Sequence, residues 1–291
     1  MAKTTAEPRL RELDPRIHAY RPDLAARSLR GRVAAERFTV GRPAQVVRGV
    51  ADLRTAPRTD APLASQLLGG EAVTVYDESD GWAWVQNGTD EFVGYVAAEA
   101  LTGEVHDTTH RLTALRSFRF PEPDIKAPPL DTLTLAGQVA VVGERDRFSE
   151  IAIGGWVFSS HLGALEDRRP DFVATALRFL ETPYLWGGKD SLGLDCSGLV
   201  QVVLALAGIP APRDSDRQAG SLGEPLGQGA QHQRGDLVFF PGHVAIALDD
   251  TNVVHANAWH LKVTTEPLTE VVARVQAEYG RGIEVVRRLP G

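Results

Sequence analysis

The chain has 291 residues, a formal net charge of -7 and a hydrophobic fraction of 43%. That length is too great for one small core and predicts two or three ordinary globular domains. The negative balance, with Lys and Arg clustered nowhere beyond short Arg pairs, argues against a nucleic-acid partner, because phosphate affinity is drawn from clustered cations.

The first ten residues are polar and contain no apolar leader segment, which sets a cytoplasmic location as the expectation. No later stretch approaches the ~20 apolar residues that cross a bilayer, so no membrane partner is expected. From Asp14 to about Phe38, Ile17, Leu24, Leu29 and Val33 fall among many Arg residues and predict a short helical or wrapping arm, assigned to residues 1–42. Two stretches follow, assigned to 43–105 and 106–166, each made of short alternating runs divided by Gly, Asp and Pro, as in small β-barrels. They echo one another. Ala-Asp-Leu-Arg-Thr at 51–55 matches Thr-Ala-Leu-Arg-Ser at 113–117, Gly-Glu-Ala-Val-Thr-Val at 70–75 matches Gly-Gln-Val-Ala-Val-Val at 137–142, and Gly94-Tyr95-Val96 matches Gly155-Trp156-Val157. A duplicated small barrel is the reading.

At about residue 167 the pattern changes to helical period, with Phe172, Val173, Ala176, Leu177 and Leu180 on one face. A loop containing Gly187, Gly188 and Gly193 leads into an apolar helix over 197–207, stopped by Gly208 and Pro210. Strands are predicted at 237–240, 244–248 and 253–256, then a helix over 267–279 and a strand over 283–287. A helix with a cysteine at its start, packed on an antiparallel sheet that carries histidines, is a papain-like α+β arrangement, here assigned to 167–291.

Cys196 is the single cysteine, which rules out an internal disulfide framework and a Cys-rich zinc site and leaves a thiol that is either inert or reactive. Its place at a helix start, where unpaired N–H groups and the macrodipole favour a thiolate, suits a nucleophile. His243 and His255, on neighbouring strands, are the candidates for a base and its orienting partner, with Asn257 as the alternative orienter. The two histidines share a face only if the connection between their strands has an odd residue count or a bulge intervenes. His18, His106, His110, His161, His232 and His260 stand in no motif.

Six segments in order carry a resemblance: Thr-Pro-Tyr-Leu-Trp-Gly-Gly at 182–188, Asp-Cys-Ser-Gly-Leu-Val-Gln at 195–201, Pro-Arg-Asp-Ser-Asp-Arg-Gln at 212–218, Gly-Asp-Leu-Val-Phe-Phe at 235–240, Gly-His-Val-Ala-Ile at 242–246 and Val-Val-His-Ala at 253–256. Together they resemble the NlpC/P60 family of cysteine peptidases, and the whole chain is similar to the subgroup with tandem bacterial SH3-like domains ahead of the catalytic domain. The resemblance implies Cys196 as nucleophile, His243 as general base, His255 as orienting third member and the Tyr184 hydroxyl as a contributor to oxyanion stabilisation. It implies a murein-derived peptide as substrate, cut between γ-linked D-Glu and a diamino acid, with a free amino-terminal L-Ala held by Asp195, Ser215, Glu71 and Tyr95, and with Trp186 beside it. Neither a cofactor nor a metal is expected. An exported wall hydrolase, a catalytically dead binding module and a papain-like acyltransferase are the alternatives.

Overall fold

Alternation sets the first barrel: in the strand Val50–Arg54 the side chains of Ala51 and Leu53 go inward while their neighbours face out, and in Val93–Ala97 Val96 goes inward while Tyr95 faces out. The computed structural model describes residues 13–168, 171–227 and 229–290. Over 42–102 seven strands form one antiparallel sheet around Val46, Leu53, Leu67, Val75, Val85 and Val96. Over 110–164 the same plan recurs. The six strand pairings of the first unit have six counterparts in the second, and each unit ends in a short 3-10 turn and a closing strand.

The arm wraps and does not coil into an α-helix. Its described part, from Leu13, has a three-residue 3-10 turn at Arg27–Leu29 and two short parallel strands. Ala19, Leu24, Ala26 and Leu29 pack on Trp84 of the first barrel, with Tyr76, Val93 and Tyr95 at the margin. Residues 1–12 of the arm lie outside the described residues.

The third unit is built on a six-stranded sheet, in the order Glu224–Pro225, Val285–Arg288, Leu237–Phe240, His243–Ala247, Asn252–Asn257, Lys262–Pro267. Among the described residues four α-helices accompany it: α1 (Phe172–Leu177), α2 (Cys196–Ala207), α3 (Ser215–Ser221) and α4 (Leu268–Tyr279). α2 is apolar around almost its whole circumference because it lies between α1 and the sheet, burying Leu199, Val200, Val203 and Leu204 against Phe239, Val244, Ile246 and Val254. Its C-terminus stops where the sequence predicts, at Gly208 with φ +75°. On the other face of the sheet α4 packs Leu268 and Val271 against Val238, Phe240, Ala245 and Val253.

Buried polar contacts join the first barrel to this third unit. Lys189, only 2% exposed, donates to Glu71 Oε1 at 3.1 Å and lies 3.7 Å from Asp90 Oδ2. Its backbone N–H donates to Gln66 Oε1 at 2.8 Å, and Arg213 Nε donates to Ser65 Oγ at 3.0 Å. Gly187, at φ +79°, passes so close to the strand Leu63–Leu68 that a Cβ there would stand 2.8 Å from the Leu63 carbonyl oxygen. These contacts bring the barrel strand alongside the loop that leads to Cys196.

Candidate active site

Asp195 caps α2 by accepting from Gly198 N at 2.7 Å, which places Cys196 on the first helical residue. The thiol is 6% exposed at the floor of a hollow lined by Tyr184, Trp186, Ser197, Ser215, Asp214, Asp216, Gly242, Ala64 and Arg16. The N–H groups of Val244 and Ser197 act on its sulfur in favour of the thiolate, and Arg213 adds to them. They do not prevail. Burial first, and then the Asp195 carboxylate, push the Cys196 thiol up to about 12. Burial therefore works against the thiolate that the helix start favours.

The two histidines share a face of the sheet. Counted between the last paired residues, Ala247 and Val253, the connection has five residues, 248–252, an odd count. That face is the one covered by α4, while Cys196 lies on the α2 side, and His243 is the first residue of its strand, directly after the turn at Gly242. The connection is direct along the chain, since Val244, whose N–H acts on the sulfur, is the next residue after His243. Tyr184, Trp186 and Gly242 line both the hollow over Cys196 and a second hollow over His243, His255 and Trp259. One cleft thus runs past nucleophile and base.

His243 Nε2 lies 2.7 Å from His255 Nδ1, and His255 Nε2 lies 2.6 Å from Glu266 Oε1. Glu266 is held in turn by Arg274 at 2.7 Å. Burial pushes Glu266 up, but hydrogen bonds from His255 and Arg274 outweigh it and take the carboxyl down to about 2. An ionised Glu266 requires the proton on His255 Nε2, a shorter and charge-assisted contact than the one from Asn257 Nδ2 at 3.0 Å. His255 Nδ1 then accepts from His243 Nε2–H, and the His243 Nδ1 lone pair is left for the thiol. Burial and the neighbouring His255 hold His243 down at about 3, so this imidazole is neutral and able to take a proton. Asn257 does not reach His243; its Oδ1 accepts from His260 N at 2.8 Å.

Trp186, 71% exposed, and Tyr184 stand at the rim shared by the two hollows. Burial and the neighbouring Cys196 and Asp195 raise the Tyr184 hydroxyl, which therefore stays protonated as a hydrogen-bond donor. Ser215 lies in the hollow with Cys196. Two sequence assignments need correction. Glu71 is buried beneath the barrel on Lys189 and also accepts from Leu68 N at 2.9 Å, so it faces the interdomain contact and not the cleft. Tyr95 turns toward the arm, its hydroxyl accepting from Arg21 at 3.2 Å, because strand alternation directs it away from the cleft. Asp195 lines the hollow, but Gly187 N, Gly198 N, Ser197 Oγ and both Arg213 amino groups already donate to its two oxygens. Sequence reasoning missed three polar residues. Glu266 is hidden in a β-branched run on the adjacent strand, Arg213 stands inside a quoted motif without a role, and Asp214, its neighbour, keeps Oδ1 without a partner among the described residues while Oδ2 accepts from Arg16 at 2.7 Å.

A thiol at a helix start, a neutral imidazole oriented by a second imidazole and a carboxylate, and an open cleft past both define a cysteine hydrolase on a papain-like scaffold. Comparison with known proteins makes the class specific. Residues 181–278 match the model of the NlpC/P60 family and residues 53–101 that of the bacterial dipeptidyl-peptidase Sh3 domain. The chain is 30% identical to dipeptidyl-peptidase 6 of Lysinibacillus sphaericus over 252 residues, covering 77% of this chain and 91% of that one. It is 26% identical to the gamma-D-glutamyl-L-lysine dipeptidyl-peptidase of Bacillus subtilis, covering 76% and 81%. The crystal structure of an NlpC/P60 family protein from Bacillus cereus shares the fold with a TM-score of 0.72 at 21% identity, over 85% of this chain and all of that one. The chain belongs to the NlpC/P60 family and is a peptidase.

Proposed function

We propose that this peptidase removes L-Ala-γ-D-Glu from short peptidoglycan-derived peptides by cutting before the diamino acid, and that it requires a free amine on the alanine. The observation that carries the reading is the lining of the hollow over Cys196, where Ala64 of the first barrel and Arg16 of the arm stand together with Asp214, Ser215 and Asp216. A lining rich in carboxylates suits a chain that terminates in an ammonium. The names of the two relatives, both dipeptidyl-peptidases, support the same direction. Such substrates are released fragments, so recycling inside the cell belongs to the proposal.

His243 Nδ1 takes the thiol proton as Sγ attacks the γ-carbonyl carbon, since a thiol held near 12 must be deprotonated during attack. The Cys196 N–H and the Tyr184 hydroxyl stabilise the oxyanion. The tetrahedral species expels the diamino acid's amine, protonated by His243, and water activated by the same imidazole cleaves the thioester. The amine partner is better placed at Asp214, with one open oxygen, than at Asp195, whose oxygens are occupied. Ser215 lies beside it.

Purified protein given L-Ala-γ-D-Glu-diaminopimelate with and without an acetyl cap tests the reading. Capping removes a charge and adds bulk beside the carboxylates, and kcat/KM is expected to fall by about two to four orders of magnitude. Equal cleavage of both, or efficient release from intact peptidoglycan, overturns it in favour of a wall hydrolase.

A further inference from the structure

Among the described residues, the arm contributes the side chain of Arg16 to the hollow over Cys196. Arg16 Nη1 donates to Asp214 Oδ2 at 2.7 Å and to Asp216 Oδ1 at 3.1 Å, and Nη2 donates to Asp216 Oδ2 at 2.8 Å. The guanidinium is braced from its own side by Asp14, which takes Nε at 3.1 Å and Nη2 at 2.8 Å. The backbone around it is tied to the first barrel: Val93 N donates to Arg16 O at 2.8 Å and Gln86 Nε2 donates to Ile17 O at 2.8 Å. Arg16 therefore links arm, barrel and catalytic unit at the lining of the hollow over Cys196.

We infer that Arg16 is a positioning residue for substrate selection: it holds Asp214 by one oxygen, leaves the other directed to an incoming ammonium, and walls the cleft beyond it. The inference rests on the free-amine reading above. A planar guanidinium fixed on both sides orients the carboxylates it binds, and Arg16 engages Asp216 through two nitrogens while a single bond holds Asp214. Desolvation raises Asp214, and Arg213 and Arg16 oppose it. The other charged groups around it are Asp216 and Arg217 on α3, Asp14 on the arm and Asp195 before α2, with the neutral Cys196 thiol beside them. Without Arg16 the carboxyl loses a cation from this set, and its protonation moves to higher pH.

The test compares wild type with Arg16→Ala, Arg16→Gln and Arg16→Lys on the free and acetyl-capped peptides across pH. For Arg16→Ala, KM on the free peptide is expected to rise about ten- to a hundredfold with kcat within about threefold, and the preference over the capped peptide is expected to shrink. The acid limb of 1/KM should move to higher pH, a change that loosened packing alone does not produce. Arg16→Lys should restore part of both, and Arg16→Gln serves if Arg16→Ala melts early. Wild-type KM and an unmoved acid limb in the Ala or Gln variant overturn the inference. If the wild type itself fails to prefer the free amine, the failure belongs to the functional reading.

Discussion

His255 and Glu266 approach to 2.6 Å on adjacent strands, with the carboxylate set against Val253 in the register and therefore diagonal to the histidine. This one contact sets the tautomers of two imidazoles in series. The family resemblance supplied the histidines, but what fixes their protons is an acidic residue 11 positions further along the chain.

Glu266→Gln is expected to lower kcat/KM by about ten- to a hundredfold, the usual range for a residue that orients a histidine from behind. An amide tolerates either tautomer of His255, so His243 Nδ1 is no longer reserved for the thiol. Turnover of the variant against wild type at pH 7.5 measures this. Unchanged kcat/KM would mean that Glu266 only packs.

A second expectation concerns pH. His243 is held near 3, and a histidine in the unfolded chain titrates near 6.5. As pH falls from about 6.5 toward about 3 the unfolded chain takes up a proton that the native site refuses, so stability is complete above that window and declines through it. The slope for a single site is at most about 1.4 kcal/mol per pH unit. Thermal melts from pH 7.5 to 4 should show a steeper loss of Tm in wild type than in His243→Gln, and the acid limb of wild-type kcat/KM should lie well below 6.5. Parallel melting curves would show that His243 titrates normally.

Cys196 gives a separate readout, because burial and Asp195 hold its thiol near 12. Alkylation by iodoacetamide in the absence of substrate should be slow at pH 7 and still rising at pH 9.5, without the plateau of a low-pKa thiolate. Cys196→Ala should abolish hydrolysis and leave the melting temperature almost unchanged. A rate plateau near pH 7, or residual turnover in the Ala variant, contradicts this account.

Legibility from sequence divided along physical lines. Features local in the chain could be read: the stop at Gly208, the helix start at Cys196 and the barrel alternation. Contacts formed between units could not. Glu71 and Tyr95 were matched to the cleft by short barrel motifs, yet the side on which a barrel docks depends on Lys189, Gln66, Arg213 and Ser65 meeting across the interface. Arg16 left no signal at all, being one Arg among many in an arm without regular periodicity. The thiol's surroundings follow the same division, since burial by distant residues opposes the local helix terminus.

The interface reading of Glu71 makes its own prediction. Glu71→Ala leaves Lys189, 2% exposed, with Asp90 at 3.7 Å as its remaining carboxylate. Breaking a buried pair from one side costs about 3 kcal/mol. Denaturant melts should show that loss, while the ratio of kcat/KM for free and capped peptides stays at the wild-type value. A collapsed ratio with undiminished stability would return Glu71 to the substrate.

The last prediction separates Asp214 from Asp195 as the ammonium's partner. Asp195 accepts five hydrogen bonds, two of them from Arg213 at 2.8 and 2.9 Å, and Arg213 is 1% exposed. Asp195→Asn therefore removes the counter-charge of a buried guanidinium and weakens the cap that seats Cys196, so it should lower stability and depress cleavage of free and capped peptides alike. Asp214 is more open, and its Oδ1 has no donor among the described residues. Asp214→Asn should spare the fold, raise KM for the free peptide by about ten- to a hundredfold, and leave the slow cleavage of the capped peptide where it was. The capped peptide is the decisive arm, because a substrate without the charge cannot lose an interaction it never made. If Asp195→Asn alone erased the preference at wild-type stability, the ammonium would belong at the helix cap, and Asp214 would be no more than an anchor for the arm.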